Sequence, residues 1–388
     1  MIYLDNNATT PLAPEVIEAM QPWVSGEKFG NPSSGYRAGR EARKAVDLAR
    51  EQVASLIGAD PSEVIFTSGG TESINTAIHS AIQAHPLGGK HLVTTTAEHS
   101  AVENPMLVLE EAGYEVSRAS VDREGQLDVD DLAALIRPDE TALVSVILAN
   151  NETGVISPIE DIAEICRERG VLWHADAVQA VGKIPVQKLA PLMSLSAHKF
   201  HGPKGIGALV VDQNIRFRSL MQGGGQESDR RSGTENVGAI VGMGAAAVLA
   251  GERLEERGKR LAELRDRFES GVLAQVAGSE VNGTTEIRLP NTSNLYFPGV
   301  DGEGLLILLD QMDVACSPGS ACGSGAVKPS RVIKAMGFSS ERARSSVRFS
   351  VSEMNTDIEI DEAILAVKMA VGKLKVVMPS NGPRVVMR

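Results

Sequence analysis

The sequence predicts an α/β protein: a large domain built on a mostly parallel seven-stranded sheet, and a smaller α+β domain completed by the C-terminal part of the chain. Three observations predict it. Short β-rich runs alternate with amphipathic helical stretches as far as residue 211. A long helical pattern then leads away from that alternation. The 388 residues also exceed what one hydrophobic core usually serves. The expected division is 14–255 for the large domain, with 1–13 and 256–388 forming the small one.

Taken in order, the N-terminal MIYLDNNATTP has neither a basic nor an apolar leader region, so no secretory signal is expected. Residues 37–57 set Ala38, Ala42, Ala45, Ala49, Val53, Leu56 and Ile57 on one side at helical spacing. The expected strands are Val64–Thr67, His91–Thr96, Val116–Val121, Ala142–Leu148, Val171–Ala175, Leu192–Ser196 and Gly207–Val211, with helices such as Ile159–Arg169 between them. A single long helical pattern covers Asn236 to Val276. Its most apolar part, Val237–Ala250, is glycine-broken and too short to span a bilayer. Strands Ser293–Phe297 and Ser346–Ser350 and helices Gly302–Gln311 and Ile358–Leu374 make up the smaller domain.

Composition narrows the function classes. Hydrophobic residues at 43% and charged residues at 23% describe an ordinary globular chain rather than a disordered one. The net charge of −12, with no Lys/Arg block, argues against direct nucleic-acid binding. Three cysteines cannot form a disulfide framework; they fit a reducing compartment, so a cytoplasmic protein without membrane attachment is expected.

In open α/β sheets, ligands bind beyond the carboxyl ends of the strands. Five of the expected strands are each followed there by chemically able residues: SGGTES (68–73), then His99, then Asn150 and Asn151, then Asp176 and Gln179, then His198 and Lys199. The 68–73 loop puts small residues and hydroxyls at a helix start, where free N–H groups and the dipole favour a phosphate. Taken alone, the loop is better read as a plain N-cap by Ser68 or Thr71, and the GxxxxGK[ST] spacing of a Walker A loop is absent. Lys199, one rim away from a phosphate loop and an Asp, reads as a Schiff-base lysine, with Asp176 the carboxylate that keeps a pyridinium nitrogen protonated. His198 and His201 are spaced HxxH, but without a third ligand zinc is a weak reading, and no metal is expected.

The ordered motifs YLDNNATTP, FGNPSS, TSGGTES, TAEHSAV, NNETGV, HADAVQAVGK, SAHKFHGPKG, RRSGTEN, GSACGSG and SSVRFS span nearly the whole chain. Together they resemble the cysteine desulfurases of the class V aminotransferase-like superfamily. That resemblance implies a pyridoxal-phosphate-dependent transferase of fold type I. Lys199 would hold the cofactor covalently, Asp176 would pair with its ring nitrogen, and His99 would stack on the ring and help move protons. Gln179 and Asn151 would address the ring hydroxyl, while Gly70, Thr71, Ser196 and His198 would hold the phosphate. Thr234 would reach that phosphate from the other subunit of a homodimer; Asn151 and Arg348 would bind the substrate carboxylate, Arg348 as a guanidinium clamp. The substrate would be L-cysteine, leaving as L-alanine, and the sulfur would pass to an acceptor such as an iron–sulfur scaffold or a tRNA-thiolation protein. Related lyases acting on selenocysteine or cysteine sulfinate, transaminases on the same fold, and a non-catalytic scaffold are the competing readings.

The cysteines differ in their surroundings. Cys166 shares helical register with Ile159, Ile162 and Ala163 and reads as inert core. Cys322 sits among glycines, prolines and serines in SPGSACGSGAVKPS, which reads as a loop, and the match to GSAC makes it the catalytic cysteine that carries the persulfide. Cys316 reads as a small side chain packed at a strand end, with a resolving thiol as the unsupported alternative.

Overall fold

Seven strands form the central sheet of the computed structural model, which describes residues 1–85, 87–318 and 329–377. Their spatial order is Val64–Thr67, Gly207–Val211, Leu192–Ser196, Trp173–Asp176, Thr141–Ile147, His91–Thr95 and Glu115–Ala119. All pairings are parallel except the two made by Gly207–Val211, which opposes both neighbours. Thr141–Ile147 is buried at every position rather than at alternate ones, because helices cover both faces of a parallel sheet.

Local chemistry fixes the elements around it. Helix Arg37–Ile57 buries Ala42, Val46, Ala49 and Val53, and stops at Gly58, whose φ of 66° supplies the left-handed closing residue. Strand Trp173–Asp176 starts two residues later than expected, since Gly170 and Val171 are used to close helix Ile159–Arg169. Asp176 is therefore the last strand residue, not the first loop residue.

The single helical pattern over 236–276 is two helices, Val237–Glu252 and Leu254–Gln275, bent by 79°. The break has a packing cause. Val237–Glu252 buries small residues against the core beside the seven-stranded sheet, whereas Leu261, Leu264, Phe268 and Val272 face a second core. One straight helix cannot serve both. The Arg257 guanidinium covers the break by donating to Leu249 O and Ala250 O, carbonyls that the helix end leaves free. Among the described residues, no single helix is long and apolar enough to cross a membrane.

That second core is roofed by the antiparallel strands Ser317–Pro318, Ser346–Ser350, Thr292–Tyr296 and Glu280–Val281. The N-terminal strand Ile2–Tyr3 joins Val314–Ala315 beside it. Residues 5–13 then cross back to the large sheet, and this crossing arm helps build the site.

Candidate active site

The carboxyl ends of the parallel strands open into a cavity of about 360 Å³, within the size range of ligand pockets. Gly70, Thr71, His99, Asn151, Asp176, Gln179, Ser196, His198, Lys199 and Arg348 all line it. Thr234 is exposed and does not line it. Cys322 lies outside the described residues.

One end of the cavity is the start of helix Gly70–Ala84. Gly69 stands at its N-cap with φ 152° and ψ −178°, a conformation open essentially to glycine alone, and no side chain among the described residues caps the first turn. Neither Ser68 nor Thr71 acts as the cap. A Cβ on Gly207 of the adjacent strand would sit 2.7 Å from Gly69 Cα, so that glycine lets the loop approach the sheet. The Glu72 carboxylate is turned back to Ser68 N–H and to a paired Arg231, which holds its carboxyl below the usual range despite burial.

The turn Ala197–Lys199 that follows strand Leu192–Ser196 delivers Lys199, and the N-terminal arm fixes it. Lys199 Nζ donates to Asn7 O at 2.7 Å and Ala8 O at 2.8 Å. Thr10 N–H donates to His198 O, and Ala13 N–H to His201 O, so the arm is stitched along the whole turn. His198 Nδ1 meets Thr9 Oγ1 while His201 Nδ1 meets Pro11 O; the two imidazoles thus serve separate partners.

Burial sets the electrostatics. It lowers the Lys199 amine to about 8, with Arg348 adding to the effect and Asp176 and Asp5 opposing it. It raises the Asp176 carboxyl to about 6, against the Val178 N–H bond and Lys199. It lowers His99 to about 4, aided by Lys199, Arg331 and Arg348, so that imidazole is neutral at pH 7. His99 Nδ1 accepts from Ala101 N–H at 3.1 Å as the cap of helix Ser100–Glu111, which leaves the ring proton on Nε2. Arg348 donates to Asp5 at 2.7 Å and to Asn151 O at 2.9 Å; among the described residues its buried Nε has no partner.

Several lining residues carry no signal in the strand-end reading. Asn7 and Ala8 come from the arm rather than a sheet strand. Arg331 enters from the start of helix Arg331–Ala335 and pairs with Glu103. Glu98, beside His99, is fully enclosed: Oε1 accepts from Thr95 Oγ1 and Ile147 N–H, Oε2 has no partner among the described residues, and burial pushes the carboxyl up to about 8. The adjacency in AEHS was the available clue, but a Glu in a loop normally reads as solvated.

The other cysteines are placed as follows. Cys166 is fully buried, its thiol pushed up to about 12. Cys316 packs partly buried against the second core, and burial raises its thiol as well.

Residues 2–363 match the family model described as aminotransferase class-V. A protein from Trichormus azollae named cysteine desulfurase is 47% identical over 382 residues, spanning 98% of this chain and 95% of that relative. The cysteine desulfurase NifS of Azotobacter vinelandii is 44% identical, spanning 98% and 96% respectively. A solved structure titled NifS-like protein superposes with a TM-score of 0.90 at 38% identity, covering 96% of this chain and all of that one.

Proposed function

From the premise that the chain belongs to the aminotransferase class-V family, we propose that this cavity binds pyridoxal phosphate and works on L-cysteine. The protein is a cysteine desulfurase, an enzyme that removes sulfur from cysteine. One observation carries the reading of the site. A lowered lysine amine and a raised aspartate carboxyl, Lys199 and Asp176, share one cavity at the ends of adjacent strands.

The residues present fit the cofactor. Asp176 has the Val178 N–H on one oxygen, and a protonated ring nitrogen would return it to its charged form. The uncapped first turn at Gly70 and Thr71, with Ser196 and His198 beside it, suits a phosphate. When bound, pyridoxal phosphate supplies an electron sink for the carbon that carries the substrate's amine.

The chain's own groups do the rest. Arg348, held at its back by Asp5, binds the substrate carboxylate together with Asn151. Lys199 Nζ, already partly deprotonated near neutral pH, takes the proton from the substrate's Cα. Neutral His99, with its proton on Nε2, acts as a donor in the cavity rather than as a base. The Cys322 thiolate forms an S–S bond to the substrate sulfur as the Cβ–S bond breaks. The bonding pair stays with the carbon fragment, which is protonated to alanine, and Cys322 keeps the persulfide until an acceptor protein takes it. An iron–sulfur scaffold or a tRNA-thiolation protein is the class of acceptor that the resemblance to cysteine desulfurases implies.

A homodimer fits the same geometry. Exposed Thr234 has no role in its own cavity. An apolar groove of about 530 Å³ between helices Gly70–Ala84 and Ser100–Glu111 shares Thr71, Ser100 and Ala101 with the active cavity, a surface that a second subunit would cover. The deciding experiment supplies cysteine to purified protein and measures alanine and sulfide with and without a thiol reductant. Absence of alanine from protein loaded with cofactor would exclude the activity.

A further inference from the structure

Lys183 is 6% exposed, and its Nζ donates to two side-chain amide oxygens, Asn7 Oδ1 at 3.0 Å and Gln179 Oε1. Gln179 Nε2 in turn donates to Asn7 O at 2.8 Å, the same carbonyl that accepts from Lys199 Nζ. Asn291 Nδ2 adds a further donor to Asn7 Oδ1 at 3.0 Å. Lys183 and Lys199 also border one small cavity of about 20 Å³. We infer that Lys183 is a positioning residue: by clamping Asn7 and Gln179 together it presents the Asn7 and Ala8 carbonyls to Lys199.

The hydrogen-bond count supports this. An ammonium has three donors and a neutral amine two. The two amide oxygens match both donors of the neutral form, whereas a buried ammonium calls for an anionic partner. Burial, with the Lys199 and Arg348 charges nearby, holds the Lys183 amine well below the ordinary lysine range. Lys183 therefore acts as a strut made of hydrogen bonds rather than as a second positive charge pressing on Lys199. The charged groups that do face Lys199 are Arg348, Asp176 and Asp5.

Carbonyl acceptors favour the protonated lysine, so releasing them lowers its pKa. Removing a neighbouring cation would raise it. The sign separates the two roles.

The inference rests on Lys199 being the reactive lysine, yet its test needs no turnover. The full chain, stripped of cofactor, is trace-labelled with an amine reagent across a pH series, and the Lys199 peptide is quantified by mass spectrometry. In Lys183→Met, the pH of half-maximal labelling should fall by roughly 1 relative to wild type. An unchanged midpoint, or one that rises, overturns the inference. Should Lys183→Met fail to fold, Gln179→Leu cuts the same clamp from its other end and is read by the same signs. Failure of borohydride to fix cofactor on wild-type Lys199 would instead count against the catalytic reading, and leaves the labelling result interpretable.

Discussion

Lys199 Nζ lies 2.7 Å from the main-chain oxygen of Asn7, a residue 192 positions earlier in the chain. The first residues of the protein pair with Val314–Ala315 beside the second core, and the next few then cross to Lys199 at the end of a central strand. The lysine is thus oriented by both parts of the molecule. Its neighbours set its charge and its place: burial and Arg348 lower its pKa, while two neutral carbonyls fix its position without contributing a charge.

Lys199 is expected to carry the cofactor. The protein should purify with a visible absorption band, and borohydride should fix the cofactor on the Lys199 peptide. Lys199→Ala should cut turnover by about 10²–10⁴-fold or more. The deprotonated amine is the attacking form, so cofactor loading of stripped protein should accelerate with pH and level off above about 8. An unperturbed lysine would keep gaining up to about 10.4. A stopped-flow pH series on stripped wild-type protein distinguishes these two profiles.

The persulfide is expected on Cys322. Cys322→Ser keeps the size of the side chain but removes the strong nucleophile, so cofactor and cysteine should still bind while alanine production falls by at least about 10²-fold. Wild type treated with cysteine and then alkylated should carry one extra sulfur on the Cys322 peptide. Cys316→Ser is the control. That residue packs against the second core with its thiol pushed up by burial, so its loss should leave turnover nearly intact. Normal turnover in Cys322→Ser would move the chemistry elsewhere.

Thr234 is expected to serve the neighbouring subunit. Light scattering should give a dimer. Mixed dimers of Lys199→Ala with Thr234→Val provide a sharper measurement, because one of their two sites would combine an intact Lys199 with an intact Thr234. Activity per intact Lys199 should rise above that of the Thr234→Val homodimer towards wild type. A fully active monomer would exclude the shared site.

Much of this site was legible because the chemistry follows strand ends. His99, Asn151, Asp176, Gln179, His198 and Lys199 each lie at or just after a run whose β character is written in consecutive residues, and the sheet brings them to one rim. Asn7 and Lys183 were not legible. Asn7 reaches the site through a crossing arm whose destination depends on pairings with Ser350 and Thr292, remote in sequence. Lys183 lies beyond the loop after its strand, and a lysine there reads as a solvated charge until the packing is seen. The broken helix at Arg253 was missed for a similar reason: periodicity continues through the break, and only the positions of two separate cores require the bend.

Glu98 provides a stability prediction with a definite sign. Its folded pKa is raised to about 8 from an ordinary 4.5, first by burial and then by Asp176 and Glu103, against the bonds from Ile147 and Thr95. Between those values the folded state holds a proton that the unfolded state has released. The stabilisation linked to that proton is complete below about pH 4.5 and is lost as pH rises through about 8. Glutamine copies the protonated acid: its carbonyl can keep the bonds from Thr95 and Ile147, and its amide group takes the place of the unpartnered oxygen. Glu98→Gln in cofactor-free protein should therefore match wild type in melting temperature near pH 5. It should exceed wild type progressively towards pH 8, by an amount on the order of 1–3 kcal/mol in unfolding free energy. The comparison is a pair of denaturation series across that range. A difference that stays constant with pH would show that Glu98 is already ionised in the folded protein, and that its second oxygen has found a partner.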